Sequence, residues 1–334
     1  MCGFVRPLTE CFENAPRVNV MKISVITPCL NRKNFVEDAI RSVLEQKFPD
    51  FEHWIIDGGS TDGTLELFAK YPHLKVLCER DDGVYDALNK GISLASGDVV
   101  GFLNTDDLYA PGTFALVEAV LARCQYLVCS GGSEIFQRIE PGVDVEMHRY
   151  VDPRKYHLSV RNVTLGIPNI NARFFRQCVF ETVGLFNTSY KLSADREFLL
   201  RVALLDVPDA ANERLFYRYR WHADSLTMNR GNDSLLAAIN EGILISDIYS
   251  GLATTTPADR STLIAWRREL LATAFMAHTV QRRPVRALDL AKQALRDDPR
   301  WMIDLLRCGT LAVGRRSRTA FRKVLARRRS RRNR

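Results

Sequence analysis

The 334-residue chain has no apolar run near the about eighteen residues that a membrane-spanning helix needs. Its eight cysteines, Cys2, Cys11, Cys29, Cys78, Cys124, Cys129, Cys178 and Cys308, include no C-x-x-C pair. That spacing excludes a zinc ribbon and argues against a disulfide framework, leaving reduced thiols in a cytoplasmic setting as the expectation. There is no G-x-x-x-x-G-K-[ST] phosphate loop, no G-x-G-x-x-G and no G-x-S-x-G. His157 and His222 lack metal-ligand spacing and read as core or surface histidines. Residues 1–20 carry Glu10 and Glu13 and have no apolar centre, so they do not read as a signal peptide. They are expected to form a leader outside the folded domain, which would begin at Met21.

What is present is unevenly charged. The formal net charge is +8, and 315–334 alone carries 11 Lys/Arg and no acid, so the rest of the chain is slightly acidic. A basic nucleic-acid-binding face over the whole protein is therefore not indicated. Phe321, Val324 and Leu325 fall at i, i+3, i+4 among the arginines. As a helix, the tail would carry a small apolar stripe and could rest on an anionic membrane surface. A solvated basic tail is the plainer alternative.

The organisation of 21–232 is that of alternating strands and helices. Lys22 to Thr27 is a β-branched run stopped by Pro28, and Phe35 to Leu44 has helical spacing with Asn31 or Asn34 as cap. A strand at Trp54–Asp57 follows, then a helix from Thr64 capped by Asp62, a strand at Leu74–Cys78, a helix from Val84 to Ala95, and a strand at Asp98–Leu103. This order predicts an α/β fold with a mostly parallel sheet flanked by helices and ligand chemistry at the strands' carboxyl ends. From Pro111 to His222 the pattern is mixed. From 233 to 314 it is helical, with a faint likeness to a tetratricopeptide hairpin at Ala287, Ala291 and Ala294. A helical cap on the catalytic domain is the better reading, because repeat arrays need about three units.

Three constellations carry chemistry. Asp57-Gly58-Gly59-Ser60-Thr61-Asp62-Gly63-Thr64 sits where a strand hands over to a helix. Its glycines allow close backbone approach, and Asp57 can accept a hydrogen bond from a base or ribose or can simply shape a turn. Asn104 and Asp106, in Phe102-Leu103-Asn104-Thr105-Asp106-Asp107, fall on one side by strand alternation. They could share a hard divalent cation, Mg²⁺ or Mn²⁺, or form an Asx-turn closing the strand. Asp195 begins an amphipathic stretch, where a carboxylate at a helix start is favoured in any case.

Together these residues resemble the inverting glycosyltransferase family 2, with its nucleotide-diphospho-sugar transferase fold. The resemblance rests on Ile23–Asn31, Ile55–Thr64, Asp82–Asp98, Gly101–Tyr109 and Phe180–Val202. The third segment is the most specific and looks like the branch that builds bacterial exopolysaccharide and capsule units. The resemblance implies that Thr27, Asn31 and Asp57 bind the nucleoside, most often uridine. It implies that Asp82, Tyr85 and Asn89 line the donor site, that Asn104 and Asp106 occupy the metal positions, and that Asp195 is the catalytic base. The implied partners are a nucleotide-sugar donor and a saccharide or lipid-linked acceptor, and the basic tail adds the expectation of a cytoplasmic enzyme with peripheral contact on the inner face of the cell membrane. Two departures stand out. Asn104 replaces the first aspartate of the strictest metal motif, which should weaken the ion's hold, and Ile170-Asn171 stands where many relatives have His-Gln. A sugar-1-phosphate nucleotidylyltransferase would share the fold but needs a Gly-rich, basic loop after the first strand, which Pro28-Cys29-Leu30-Asn31 is not. A non-catalytic glycan-binding protein is the third reading.

Overall fold

The computed structural model describes residues 11, 21–123, 125–222 and 232–306. Cysteine 124, the basic tail at 315–334 and all of the leader except Cys11 lie outside the described residues. Cys11 departs from the expected leader: it is buried, with its thiol 3.9 Å from the Thr182 hydroxyl. The chain divides into two compact units, 1–229 and 230–334.

In the first unit, strands β1 (Ile23–Cys29), β2 (Phe51–Asp57), β3 (Leu74–Cys78), β4 (Val99–Phe102), β5 (Leu108–Tyr109), β6 (Val128–Glu140), β7 (Val143–Tyr150), β8 (Arg173–Arg176) and β9 (Asp209–Arg220) form one sheet. Its order is β3-β2-β1-β4-β8-β6-β9-β5, with β7 on β6. The helices are α1 (Val36–Leu44), α2 (Thr64–Phe68), α3 (Val84–Leu94), α4 (Thr113–Leu121), α5 (Val160–Leu165), α6 (Gln177–Val183) and α7 (Ala194–Leu204). The expected parallel arrangement holds across β3-β2-β1-β4. Beyond β4 the sheet is mixed: β8 runs antiparallel to both β4 and β6, while β9 runs parallel to β6. The β4, β6 and β9 carboxyl ends therefore point the same way.

Pro28 does not stop β1. The Cys29 carbonyl accepts from Gly58 on the β2 side and the Ile26 carbonyl from Leu103 on the β4 side. Alternation then turns Pro28 towards β4, whose pairing with β1 ends at Ile26 and Phe102, so its missing N–H interrupts no ladder. Neither Asn31 nor Asn34 caps α1. The N-cap is Phe35, without a side-chain bond, and Asn31 adopts φ 53° to reach the next loop. Asp62 takes the Thr64 N–H at 3.0 Å, but the N-cap position of α2 itself is Gly63, at φ 90°.

Apolar layers cover both faces of the sheet. Val25, Ala39, Val43, Leu103, Phe114, Phe174 and Phe216 share one core cluster. A second aromatic group joins Phe102, Phe175, Phe180, Phe186 and Phe198, with Phe180 and Phe198 stacked at 5.4 Å. Helix α3 lies so close on β1 that a Cβ at Gly91 would come within 2.3 Å of Ile26. The second unit contains α8 (Asn232–Gly251), α9 (Pro257–Val280) and α10 (Pro284–Asp297), with a further helical segment at 301–306. Leu271, Ala272, Ala294 and Trp301 form one of its cores.

The edge of the parallel half is secured by a buried carboxylate. Glu52 accepts from Ser24 Oγ at 2.6 Å and Ser96 N at 2.7 Å, and meets Lys75 at 2.7 Å and Lys22 at 3.2 Å. Burial alone would raise its pKa, but these bonds outweigh it and hold the carboxyl well below the usual range. A depressed folded-state pKa contributes stability above the unfolded value, about 4.3, and loses it as pH falls below that point. Glu52→Gln is therefore expected to lower stability at pH 7 by about 2 kcal/mol. It should also make denaturant unfolding less steeply dependent on pH below about 4. Unfolding curves across pH check both, and equal wild-type and variant curves would refute the role.

Candidate active site

The loops after β1, β2 and β4 and the residues after β9 open at one end of the sheet. The Asp57 carboxylate there is fully buried. It accepts from Gly59 N at 2.9 Å, Ser60 N at 2.7 Å and Ser60 Oγ at 2.6 Å, with the Cys78 thiol at 3.6 Å. Gly59 takes φ 95°, which the tight turn requires. Asp57 thus shapes its own loop, the turn reading of this residue, rather than presenting a carboxylate at the surface. Asn31 is exposed and ties the first two loops together: its N–H donates to Ser60 Oγ at 2.7 Å and its Oδ1 accepts from Thr61 N at 2.9 Å. Thr27, expected at the nucleoside, is buried with its hydroxyl 2.9 Å from His53 Nε2. Burial lowers His53 to about 3, with His73 adding to the effect, so this is a neutral core pair. The Thr27 hydroxyl is not available to a ligand.

The segment opening α3 divides its tasks. Asp82 is exposed at a small cleft with Gly83, Tyr85, Asp86, Thr188 and Lys191, and its carbonyl accepts from Lys191 Nζ at 3.3 Å. Tyr85 donates its hydroxyl to Asp195 Oδ1 at 3.0 Å, and the same oxygen takes the Arg196 N–H at 2.8 Å. Asp195 lies in the first turn of α7 and is half-buried. Asn89, expected at the donor site, is half-buried and bonds the Phe186 backbone. Its Nδ2 donates to the Phe186 carbonyl and its Oδ1 accepts the Phe186 N–H, both at 2.9 Å. With Phe186 against Tyr85 at 5.8 Å and Phe198 at 5.0 Å, this clamp joins α3 to the start of α7.

After β4, residues 103–107 alternate as expected: Asn104 and Asp106 are half-buried and face outwards, while Thr105 and Asp107 are buried. Asp106 Oδ2 lies 2.9 Å from His222 Nε2, and the His222 ring stacks on Phe35 at 4.6 Å. His222, read from sequence as a core or surface histidine, thus lies against a candidate metal position. It is carried there by β9, whose Arg220 reaches Asp38 of α1 at 2.5 Å. Asp107 and Tyr217 are further residues that spacing did not reveal. The Asp107 carboxylate accepts from Asn104 Nδ2 at 3.0 Å, Tyr217 Oη at 2.9 Å and Arg220 N at 2.9 Å. Burial, reinforced by the Asp106 charge, pushes its pKa up against those three bonds. The signal available in the sequence was the aromatic and basic alternation of 215–221, which marks a strand ending beside His222. Nearby, burial drives the Tyr219 phenol far above its ordinary range, and the Asp107 and Asp195 charges add to it. Ile170 and Asn171, at the departure from His-Gln, are both buried.

Among the described residues no group of three or more His, Cys, Asp or Glu side chains is gathered to hold a metal. The Asp106 carboxylate and the Asn104 amide oxygen are donors of the type a hard divalent ion takes with water or phosphate oxygens, and the His222 imidazole beside Asp106 is a softer nitrogen donor.

Residues 24–183 match the profile of glycosyl transferase family 2. A PGL/p-HBAD biosynthesis glycosyltransferase of Mycobacterium bovis is 33% identical over 186 residues, spanning 53% of this chain and 68% of the relative. The chain belongs to glycosyl transferase family 2. Among solved structures, a mannosyltransferase of Pyrobaculum calidifontis in complex with GDP-Man and Mn²⁺ superposes with a TM-score of 0.59, at 18% identity, covering 93% of this chain and 88% of that one. Residues 1–349 of S. aureus TarS in complex with UDP-GlcNAc give 0.56 at 19% identity, covering 77% and 72%. At such identities the likeness is one of fold. It is the fold expected of a family 2 glycosyltransferase, and the match to that family decides against the nucleotidylyltransferase reading.

The Asn89 clamp gives a direct expectation. Asn89→Ala removes two bonds to the Phe186 backbone and should cost about 1–3 kcal/mol of stability. Limited proteolysis should then cut first within 185–193. Cleavage rates equal to wild type in that segment would show that the clamp does not hold it.

Proposed function

We propose that this glycosyltransferase moves one sugar, with inversion, from a UDP-linked donor to a hydroxyl of a saccharide or lipid-linked saccharide acceptor in cell-surface glycan synthesis. The observation that carries the reading is the 3.0 Å bond from Tyr85 to Asp195, which links the family's donor-site segment to the candidate base. Asp195 accepts the proton of the acceptor hydroxyl as that oxygen bonds to the anomeric carbon and the bond to the diphosphate breaks. Tyr85 holds the carboxylate by one oxygen. Asn104, Asp106 and His222 would hold Mg²⁺ or Mn²⁺, which when bound supplies positive charge against the leaving diphosphate. Asp82 and Asn31 lie on the exposed loops that a donor would meet. The nucleotide-sugar complexes of the two structural relatives support this use of the fold.

Incubation with a panel of labelled nucleotide sugars, with Mn²⁺ and then with EDTA, tests the reading. Transfer or donor hydrolysis that requires the ion is expected, and proton NMR should show a β-product from an α-donor. Asp195→Asn is expected to reduce turnover by about a hundredfold or more while donor binding is retained. Full turnover in EDTA, a retained anomer, or wild-type rates in Asp195→Asn would each remove the corresponding step.

The same proposal places the enzyme on the inner face of a membrane through 315–334, a segment outside the described residues. No described helix is long and apolar enough to cross a membrane. Support comes from the tail's arginines and from the exposed Val285, Leu288, Met302, Ile303 and Leu306 shortly before it. Each basic residue contributes up to about 1 kcal/mol near an anionic surface, so the attraction should be mainly electrostatic and salt-sensitive. The full chain is expected to co-sediment with phosphatidylglycerol vesicles at low salt, and a form ending at Gly314 to do so far less. Equal sedimentation of both forms would refute the tether.

A further inference from the structure

The residue at 104 is an amide where the strictest metal motif has a carboxylate, and counting charges alone says that Asn104→Asp should tighten a bound cation. The geometry points to the reverse: we propose that buried Asp107 is a positioning residue that requires an amide at 104, so the two act as one exchangeable pair. The inference rests on the transferase reading only where it concerns ligand binding.

The 104–107 turn is closed twice. The Asp107 N–H donates to the Asn104 carbonyl at 3.2 Å, and Asn104 Nδ2 donates to Asp107 Oδ2 at 3.0 Å. That oxygen also receives the Tyr217 hydroxyl at 2.9 Å, and the Tyr217 oxygen in turn accepts the Asn104 N–H at 3.0 Å. Oδ1 is taken by Arg220 N at 2.9 Å. Asp107 and Tyr217 are both buried, so the turn cannot be rearranged without stripping one of these groups of its partner.

A carboxylate accepts only. In place of the Asn104 amide it would set oxygen against oxygen at about the 3 Å that the amide now spans, beside an acid that water does not reach, a contact that holds only if a proton stays between the two and so cancels the charge the substitution adds. The introduced side chain would swing away, carrying its oxygen off the face that Asn104 shares with Asp106. Exchanging both residues restores a donor and an acceptor in reversed order. The amide nitrogen introduced at 107 can donate to the carboxylate introduced at 104, and the amide oxygen at 107 can still accept Arg220 N, while the Tyr217 hydroxyl loses its acceptor in D107N and in the double variant alike, which is why D107N is the reference for the double variant. The exchanged site also has two carboxylates on its outer face, the new one at 104 and that of Asp106.

The test is a cycle of N104D, D107N and N104D/D107N in the full chain. Thermal unfolding is measured without ligand, and calorimetry reads UDP binding with and without Mn²⁺. N104D alone should lower Tm by roughly 5 °C or more and weaken Mn²⁺-supported UDP binding by about tenfold. The double variant should return to within about 2 °C of D107N and bind as tightly as wild type or tighter. A merely structural Asp107 would not reverse the sign of the Asn104→Asp effect on Mn²⁺. The pairing is overturned if N104D is as stable as wild type and binds the ion more tightly, or if the double variant is no better than N104D. Should N104D fail to fold, the Tm of the double variant against D107N decides between the two outcomes, and a double variant that also fails overturns the pairing. Absence of Mn²⁺-supported UDP binding in the wild-type chain would count against the transferase reading, while the Tm cycle still judges the pair.

Discussion

The arrangement of the candidate site depends on one buried carboxylate. Asp107 gathers the turn after β4 and the end of β9 through Asn104, Tyr217 and Arg220. Strands β4 and β9 are separated in the sheet by β8 and β6, and the chain after β4 reaches β9 through the two-residue β5, whose Leu108 and Tyr109 pair with Arg218 and Tyr217. The three-way hydrogen-bonded acid reinforces that short ladder, and the low dielectric around it makes each of its bonds costly to lose. With the two ends fixed, His222 falls beside Asp106 and against Phe35, and the outward face of the turn acquires an amide oxygen, a carboxylate and an imidazole.

A second line of support runs through aromatic packing. Phe186 lies against Tyr85, Phe102 and Phe198, and Asn89 grips its backbone from α3. Tyr85 and Asp195 are far apart in sequence, and their bond requires α3 and the first turn of α7 to hold a fixed spacing. The aromatic cluster supplies that spacing through area buried on both sides, and the amide clamp fixes the register of the segment between them. Several polar residues of the family's pattern thus hold other residues in place: Asp57 builds its turn, Thr27 pairs with a core histidine, and Asn89 anchors a loop. Asn31, Asp82, Asn104 and Asp106 on the loops, and Tyr85 and Asp195 in the first turns of α3 and α7, are left partly or fully exposed.

The parallel half of the sheet was legible because each strand and helix there has its own periodicity and breaker. Lys22 to Leu103 reads as alternating β-branched runs and amphipathic stretches, and the structure follows it closely, with Pro28 tolerated because its strand has lost a neighbour on that side. The outward pairing of Asn104 and Asp106 also followed from alternation. The mixed half was not legible, because β6, β8 and β9 pair across long separations and β8 lies antiparallel between strands that are parallel to each other. Nothing local in 111–222 encodes that choice.

By itself the sequence determined which segments of 22–103 become strands and helices, that Asp57, Asn104 and Asp106 follow strand ends while Asp195 begins a helix, and that the positive charge lies in the tail. Those are consequences of side-chain period, turn chemistry and composition, all of which act over a few residues. Only the tertiary structure decided which polar groups face outwards and which are consumed inside. His222 became a partner of Asp106, and Asn104 became the donor to a buried acid, because residues more than a hundred positions apart share one hydrogen-bonded turn. A buried carboxylate must find its donors wherever the fold brings them, and that requirement has no period in the sequence.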